Sequence, residues 1–345
     1  MLEHGGRLNA AMARYDTAPA PWLDLSTGIN PNGWPVPALP ARSWNRLPEP
    51  DDELIAAAQA YYGAPQALPV AGSQAAIQTL PRLRARSRVG VLAPGYAEHA
   101  AAWQRAGHAV ELLAHADIGA QVAQLDVLVL ANPNNPTGAR CAADALLHWH
   151  AGLAARGGWL VVDEAFLDVT PAESIAAFSA RPGLVVLRSL GKFFGLAGAR
   201  VGFVLAEAGL LQRLDEQLGP WTVGGPARAV ARLALQDHAW QAQTRAHLAR
   251  DAQRLRELLC ASGLPPAGGT GLFQWVPTPQ AGAIHECLAR QGVLVRLFAE
   301  PASLRFGLPG SEAGWARLAA ALRGCRLAPA QPDIPGAARA GFSGK

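Results

Sequence analysis

Lysine is nearly absent from this chain. Of 30 lysine and arginine residues only Lys192 and Lys345 are lysines, and Lys345 is the last residue. Any chemistry that needs a lysine amine therefore falls on Lys192. Long hydrophobic runs are missing as well. Half of the 345 residues are hydrophobic, yet no apolar stretch reaches the roughly 18 residues of a membrane span. The start, Met1-Leu-Glu-His-Gly-Gly, lacks a basic segment followed by an apolar one, so no signal peptide and a cytoplasmic location are the expectation. No Cys-x-x-Cys pair occurs among Cys141, Cys260, Cys287 and Cys325. That scatter argues against a zinc site or a redox dithiol and suits a reducing compartment. His148 and His150 stand two apart and so face different sides of a helix, which reads as packing, with no metal expected. The net charge of +4 rests on dispersed arginines without a basic cluster, which argues against nucleic acid as a partner.

What is present is an alternation. Arg88–Ala93, Ala109–Leu113, Asp126–Leu130, Trp159–Asp163, Leu184–Arg188 and Val201–Leu205 each read as a buried strand. Several of the segments between them are long enough for crossover helices. The expectation is an α/β protein whose large domain has a mostly parallel central sheet, followed by a small α/β domain. Residues 1–50, rich in Pro, Gly and Trp, read as an extended arm rather than a packed domain, contributing to the small domain and the active site. Residues 51–225 read as the large domain, with a short helix over Asp51–Tyr62 opened by acidic residues. Residues 226–325 read as one long helix, Pro226–Cys260, and the small domain. That domain takes strands near Leu272–Val276, Val293–Arg296 and Ser303–Phe306, with helices near Ala281–Gln291 and Glu312–Arg323. The Pro/Ala/Gly-rich residues 326–345 read as a disordered tail.

Ligands of open α/β sheets bind beyond the carboxyl ends of the strands, and four motifs stand there. Ala71-Gly72-Ser73-Gln74 is a turn before a helix, which serves as a simple cap or as a phosphate site. Asn132-Pro-Asn-Asn-Pro-Thr-Gly138 follows a buried strand and presents polar side chains rigidly. Asp163-Glu164 ends another strand, where a carboxylate either caps the next element or holds a ring nitrogen protonated. Arg188-Ser189-Leu-Gly191-Lys192-Phe-Phe-Gly195-Leu-Ala-Gly198-Ala-Arg200 sets the single interior lysine among apolar residues. Such a setting lowers an amine's pKa and favours condensation with a carbonyl.

Asn135, Asp163, Lys192 and Arg200 stand 28, 29 and 8 residues apart. This order resembles the class I/II aminotransferases, which are pyridoxal-phosphate (PLP) enzymes of fold type I with the aspartate-aminotransferase fold, and especially their histidinol-phosphate aminotransferase branch. The resemblance implies PLP carried on the Lys192 amine, with Asp163 at the pyridine nitrogen and Asn135 at the phenolic oxygen. It implies Gly72, Ser73, Gln74, Ser189 and Arg200 at the phosphate, and Tyr96, in Ala93-Pro-Gly-Tyr96, stacked on the ring. Phe166 stands where that branch often has tyrosine, so one hydrogen bond to the phenolic oxygen is missing.

His4-Gly-Gly6, Leu25-Ser-Thr-Gly28-Ile-Asn30-Pro31, Gly219-Pro-Trp-Thr-Val and Leu235-Gln-Asp-His-Ala-Trp240 narrow the likeness to the threonine-phosphate decarboxylase family of cobalamin biosynthesis. This closer resemblance implies a carboxy-lyase that converts O-phospho-L-threonine to (R)-1-amino-2-propanol phosphate. It also implies a homodimer, with a small phosphorylated amino acid as substrate. It implies His4 and Asn30 near the substrate; Arg305, in Ser303-Leu-Arg305-Phe306, matches the carboxylate-binding arginine of the small domain, and Arg296, in Val293-Leu-Val-Arg296, is a second candidate anion anchor. Leu47 replaces a tyrosine that related enzymes often donate across the dimer interface. Two other readings stay open: a phosphate-recognising aminotransferase, such as one for histidinol phosphate, and a non-catalytic binding or regulatory protein on the same fold.

Overall fold

The computed structural model describes residues 5–15, 21–50 and 52–325. His4 and the tail 326–345, with Lys345, lie outside the described residues. Among the described residues thirteen strands occur in chain order: β1 (Leu23–Asp24), β2 (Leu68–Val70), β3 (Arg88–Leu92), β4 (Ala109–Leu113), β5 (Val127–Ala131), β6 (Trp159–Asp163), β7 (Leu184–Ser189), β8 (Gly202–Leu205), β9 (Gly268–Thr270), β10 (Phe273–Pro277), β11 (Val293–Leu294), β12 (Arg296–Phe298) and β13 (Ser303–Gly307).

Seven of them form one sheet in the order β2-β8-β7-β6-β5-β3-β4. The four ladders from β4 through β7 are parallel, while β8 runs antiparallel to both β7 and β2. Strand side chains alternate between faces, and both faces here are covered. Val127, Val129, Val161, Val185 and Leu187 pack in one apolar layer, and Leu128, Leu130, Leu160, Val162 and Val186 pack in the other. This two-sided burial explains the continuous apolar runs. Ala109–Leu113 is the exception: it is one of the two edge strands, and of its residues only Leu113 is buried.

Arg188 lies in β7 on the face opposite Leu187 and Ser189. It is 1 % exposed. Its guanidinium donates to Glu164 Oε2 at 2.5 Å and to Asp168 Oδ1 at 2.6 Å, and sits 4.5 Å from the Tyr62 ring centroid. Burial alone would lower its pKa, but Asp168 and Glu164 outweigh that and raise it, so the cation is permanent. Asp163 and Glu164 thus separate: Glu164 goes to this buried pair and Asp163 to the ligand side.

Several expectations are corrected. The amino-terminal arm is packed: it contains a helix, Leu8–Arg14, β1 pairs in parallel with β11, and Leu25, Ser26, Asn30 and Trp34 are buried. The first large-domain helix begins at Leu54 and not at Asp51, which is outside the described residues; Glu53 is its N-cap, and Asp52 accepts from Leu54 N at 3.2 Å and from Arg228 Nε at 2.5 Å. The stretch 226–260 is two helices, Gly225–Gln236 and His238–Ala261. They part at Asp237, whose side chain caps the second by accepting from Trp240 N at 3.0 Å. The run Val293–Arg296 splits into β11, paired with β1, and β12, which joins the antiparallel sheet β12-β13-β10-β9. Cys287 and Cys325, 38 residues apart, form a disulfide; sequence spacing carries no sign of a pairing made by helix packing. His150 packs, with Nε2 3.0 Å from Pro182 O.

Replacing Arg188 with leucine leaves Glu164 and Asp168 buried without their cation, and breaking a buried pair in this way costs about 3–5 kcal/mol. Thermal unfolding of Arg188→Leu should show a drop of that size, and an unchanged melting temperature would contradict the assignment.

Candidate active site

The carboxyl ends of β5, β6 and β7 open into two adjoining cavities of about 160 and 430 Å3. Lys192, Tyr96 and Asn135 line both. Gly72, Ser73, Gln74, Asp163, Phe166, Ser189 and Arg200 line the smaller, and Arg296 and Arg305 the larger. The structure therefore gathers all the described candidates except Asn30 around one lysine.

Lys192 follows β7 in a loop whose backbone is held on several sides. Its amine is half-buried and donates to Thr27 O at 3.4 Å, with the Phe166 ring centroid 5.3 Å away. Removal from water lowers its pKa to about 8; the nearby Arg305 and Arg200 push the same way and Asp163 opposes them. A substantial neutral fraction near pH 7–8 is what a nucleophilic amine requires.

Asp163 ends β6 on the same face as Val161, so period-2 alternation points it into the smaller cavity. Its Oδ2 lies 3.0 Å from His99 Nε2 and its Oδ1 accepts from Ala165 N at 3.1 Å. His99 was not singled out from the sequence. The available signal is its spacing three residues after Tyr96, which places both side chains on one side of the helix Ala97–Arg105; the rings meet edge to face at 5.9 Å.

Gly72 has φ 72°, and a Cβ there would sit 2.6 Å from Arg200 Nη2. Glycine thus lets the guanidinium lie against the turn. Arg200 itself adopts φ 53°, which aims it back across the cavity mouth. The Gln74 side chain faces elsewhere: its Oε1 accepts from Tyr96 Oη at 3.1 Å and its Nε2 donates to Glu98 at 3.1 Å. Gln74 orients Tyr96.

Arg305, in β13, is buried. It donates to Asn135 Oδ1 at 2.5 Å and to Ser26 O at 2.7 Å. Among the described residues neither partner is charged, and its Nε, also buried, has no hydrogen-bond partner. Burial, with Arg296 adding repulsion, lowers its pKa to about 10. A buried cation without a counter-ion is a binding site for an anion. Asn135, its Oδ1 taken by Arg305, lines both cavities and keeps an amide Nδ2 that can donate.

Asn30 corrects an expectation. It lines neither cavity. Its Nδ2 donates to Phe193 O at 2.9 Å and its Oδ1 accepts from Asn32 N at 3.0 Å, so its side chain bonds the backbone of the lysine loop on one side and of its own arm on the other.

The donor set fits PLP: a lone amine of lowered pKa, a carboxylate fixed by an imidazole, a glycine turn with an arginine, and an aromatic wall. A lysine beyond the strand ends of a mainly parallel sheet, facing such a carboxylate, defines the class as an α/β enzyme of the aminotransferase fold. The chain belongs to the family of PLP-dependent enzymes described as aminotransferase class I and II, which matches residues 21–322. It is 60 % identical over 324 residues to a threonine-phosphate decarboxylase of Pseudomonas aeruginosa, covering 94 % of this chain and 98 % of that protein. It is 44 % identical to a threonine-phosphate decarboxylase of a Sinorhizobium species, with coverage of 93 % and 97 %. Its fold is similar to the crystal structure of histidinol-phosphate aminotransferase from Sinorhizobium meliloti in complex with pyridoxal-5'-phosphate. There the TM-score is 0.77 at 21 % identity, over 94 % of this chain and 95 % of the other. No helix among the described residues is long and apolar enough to cross a membrane.

A depressed lysine pKa means that the unfolded chain binds more protons than the folded one between about pH 8 and 10.5, so this group's contribution to stability rises with pH across that window. Below it the folded protein carries the full penalty. Lys192→Met should therefore stabilise the cofactor-free protein at pH 7, by about 1–3 kcal/mol, and the advantage should shrink as pH rises from 8 towards 10.5. Denaturant titrations at pH 7 and pH 10 measure it. A constant difference would contradict the lowered pKa.

Proposed function

We propose that the chain binds PLP on Lys192 and decarboxylates O-phospho-L-threonine to (R)-1-amino-2-propanol phosphate and carbon dioxide, a step of cobalamin biosynthesis. The observation that carries this reading is the pair Arg296 and Arg305 in the cavity beyond Lys192, two guanidinium groups for a substrate with two anionic ends. The identity of 60 % to a threonine-phosphate decarboxylase supports the same substrate.

When bound, PLP supplies an aldehyde that condenses with amines and a ring that accepts the electron pair released with carbon dioxide. The chain's own residues do the rest. Asp163, held by His99, keeps a proton on the ring nitrogen. Arg200, Ser189, Ser73 and the Gly72 turn take the cofactor phosphate. Tyr96 covers one ring face, with its hydroxyl tied to Gln74, and the free Asn135 amide donates to the phenolic oxygen. Phe166, buried at 4 % exposure, offers no hydroxyl there, so Asn135 bears that contact. Arg305 and Arg296 would hold the substrate's carboxylate and phosphate and so fix its orientation in the cavity. Lys192, its pKa lowered by burial, would carry the proton that replaces the carboxylate at Cα. Net proton uptake balances the loss of carbon dioxide.

The protein acts as a homodimer in the cytoplasm under this reading. Trp44, Leu47 and Trp221, exposed by 71, 64 and 58 %, provide apolar surface that a second copy would cover, and Gly225 stands against Ser43 O with no room for a Cβ, bringing two of these segments together. Leu47 offers packing there in place of a phosphate-directed hydroxyl.

Purified enzyme with PLP should release carbon dioxide from O-phosphothreonine and not from threonine or histidinol phosphate. Arg305→Gln should lower kcat/KM by about 30-fold or more, because truncating one side of a buried charge interaction costs about 2–5 kcal/mol. A keto product with pyridoxamine phosphate would show an aminotransferase instead.

A further inference from the structure

The motif Leu235-Gln-Asp-His-Ala-Trp240 lies at the break between two helices, outside both cavities, yet its last residue packs on the lysine loop. Trp240 stacks on Phe194, with centroids 5.6 Å apart and planes at 16°, and meets Phe193 edge to face at 5.4 Å. These are the two residues that follow Lys192. One turn further along the same helix, the Arg245 guanidinium lies 5.2 Å from the Phe193 ring centroid, anchored through Nε to Asp168 O at 2.9 Å. Both phenylalanines are fully buried.

The backbone of the loop is held from the other side. The carbonyls of Lys192, Phe193 and Phe194 accept in turn from Asn30 N at 3.0 Å, Asn30 Nδ2 at 2.9 Å and Trp34 N at 2.8 Å. Gly195 makes this docking possible, since a Cβ on it would lie 2.5 Å from Gly33 Cα. Asp237 joins the two holds: one carboxylate oxygen accepts the Trp34 indole N–H at 3.0 Å, and the other accepts Trp240 N at 3.0 Å. Arm, helix start and lysine loop therefore form one closed ring of contacts.

We propose that Trp240, tied to the arm by Asp237, is a positioning residue for Lys192, clamping the loop so that the amine stays at the mouth of the cavity and out of bulk water. This deepens the proposed function and rests on Lys192 being the cofactor lysine. Trp240 touches neither cavity, so its action passes through Phe193 and Phe194. Two aromatic contacts, one stacked and one edge to face, favour one placement of a short loop over others beyond what area burial supplies.

The near-absence of lysine makes a direct test practical. Cofactor-free protein is labelled with an amine-reactive anhydride across pH 6–11, and the Lys192 peptide, distinct from that of Lys345, is quantified by mass spectrometry. In the wild type the labelling midpoint should lie near 8, and in Trp240→Ala it should move towards 10.5, the value of a free lysine. Trp240→Phe, which keeps a ring on Phe194, should restore the wild-type midpoint. Leu248→Ala, in the same helix and buried, controls for stability alone and should leave the midpoint in place while lowering the melting temperature. Trp240→Leu, which keeps apolar volume without the stack, serves if the alanine variant does not fold, and should shift the midpoint in the same direction. An unchanged midpoint in the folded Trp240 variants, or an equal shift in Leu248→Ala, would overturn the proposal. Failure of PLP to protect Lys192 in the wild type would instead overturn the cofactor reading, so the two failures are separable.

Discussion

Keeping the Lys192 amine away from water, with Arg305 and Arg200 facing it and Asp163 as the opposing charge, is the constraint around which the structure is arranged. An ammonium in that position is penalised by desolvation and by like charge. The neutral amine is not, and it is the form that attacks a carbonyl. The same arginines that make the site hostile to an ammonium make it receptive to anions. One distribution of charge thus serves both the nucleophile and the ligands it meets, and an anionic ligand would in turn relieve the repulsion.

That arrangement depends on parts of the chain far apart in sequence. Arg305 comes from the four-stranded sheet, Asn135 from the loop after β5 and Ser26 from the amino-terminal arm, and a bond from Arg305 to each of the others joins them. Beneath the strand ends, the buried Arg188, Glu164 and Asp168 lock β6 and β7 in register. The residues that alternate with them, Asp163 and Ser189, are therefore fixed on the ligand side. A loose pair of strands would let the carboxylate drift from where a ring nitrogen needs it; positions within a reacting site must hold to fractions of an ångström.

Much of this was legible because the chemistry is local. Lys192 stands alone among arginines, Asp163 closes an uninterrupted apolar strand and Asn135 lies in the polar loop that follows another, so residue type and strand end together pointed to these positions. Contacts made across the chain were not legible. The disulfide of Cys287 with Cys325 and the spending of Asn30 on the Phe193 carbonyl depend on packing that no spacing encodes. His99 behind Asp163 left only a three-residue interval as its trace. The break at Asp237 was hidden because the residues on both sides are good helix formers, and a side-chain cap decides where the second helix starts. Ala109–Leu113 reads as apolar yet is exposed, because burial of an edge strand depends on its neighbours and not on its own composition.

Borohydride reduction of protein incubated with PLP, followed by peptide mapping, tests the central claim most directly. A pyridoxyl adduct on the peptide containing Lys192, lost in Lys192→Met, is the predicted result. Reduced, PLP-supplemented protein with no adduct at Lys192 would contradict it.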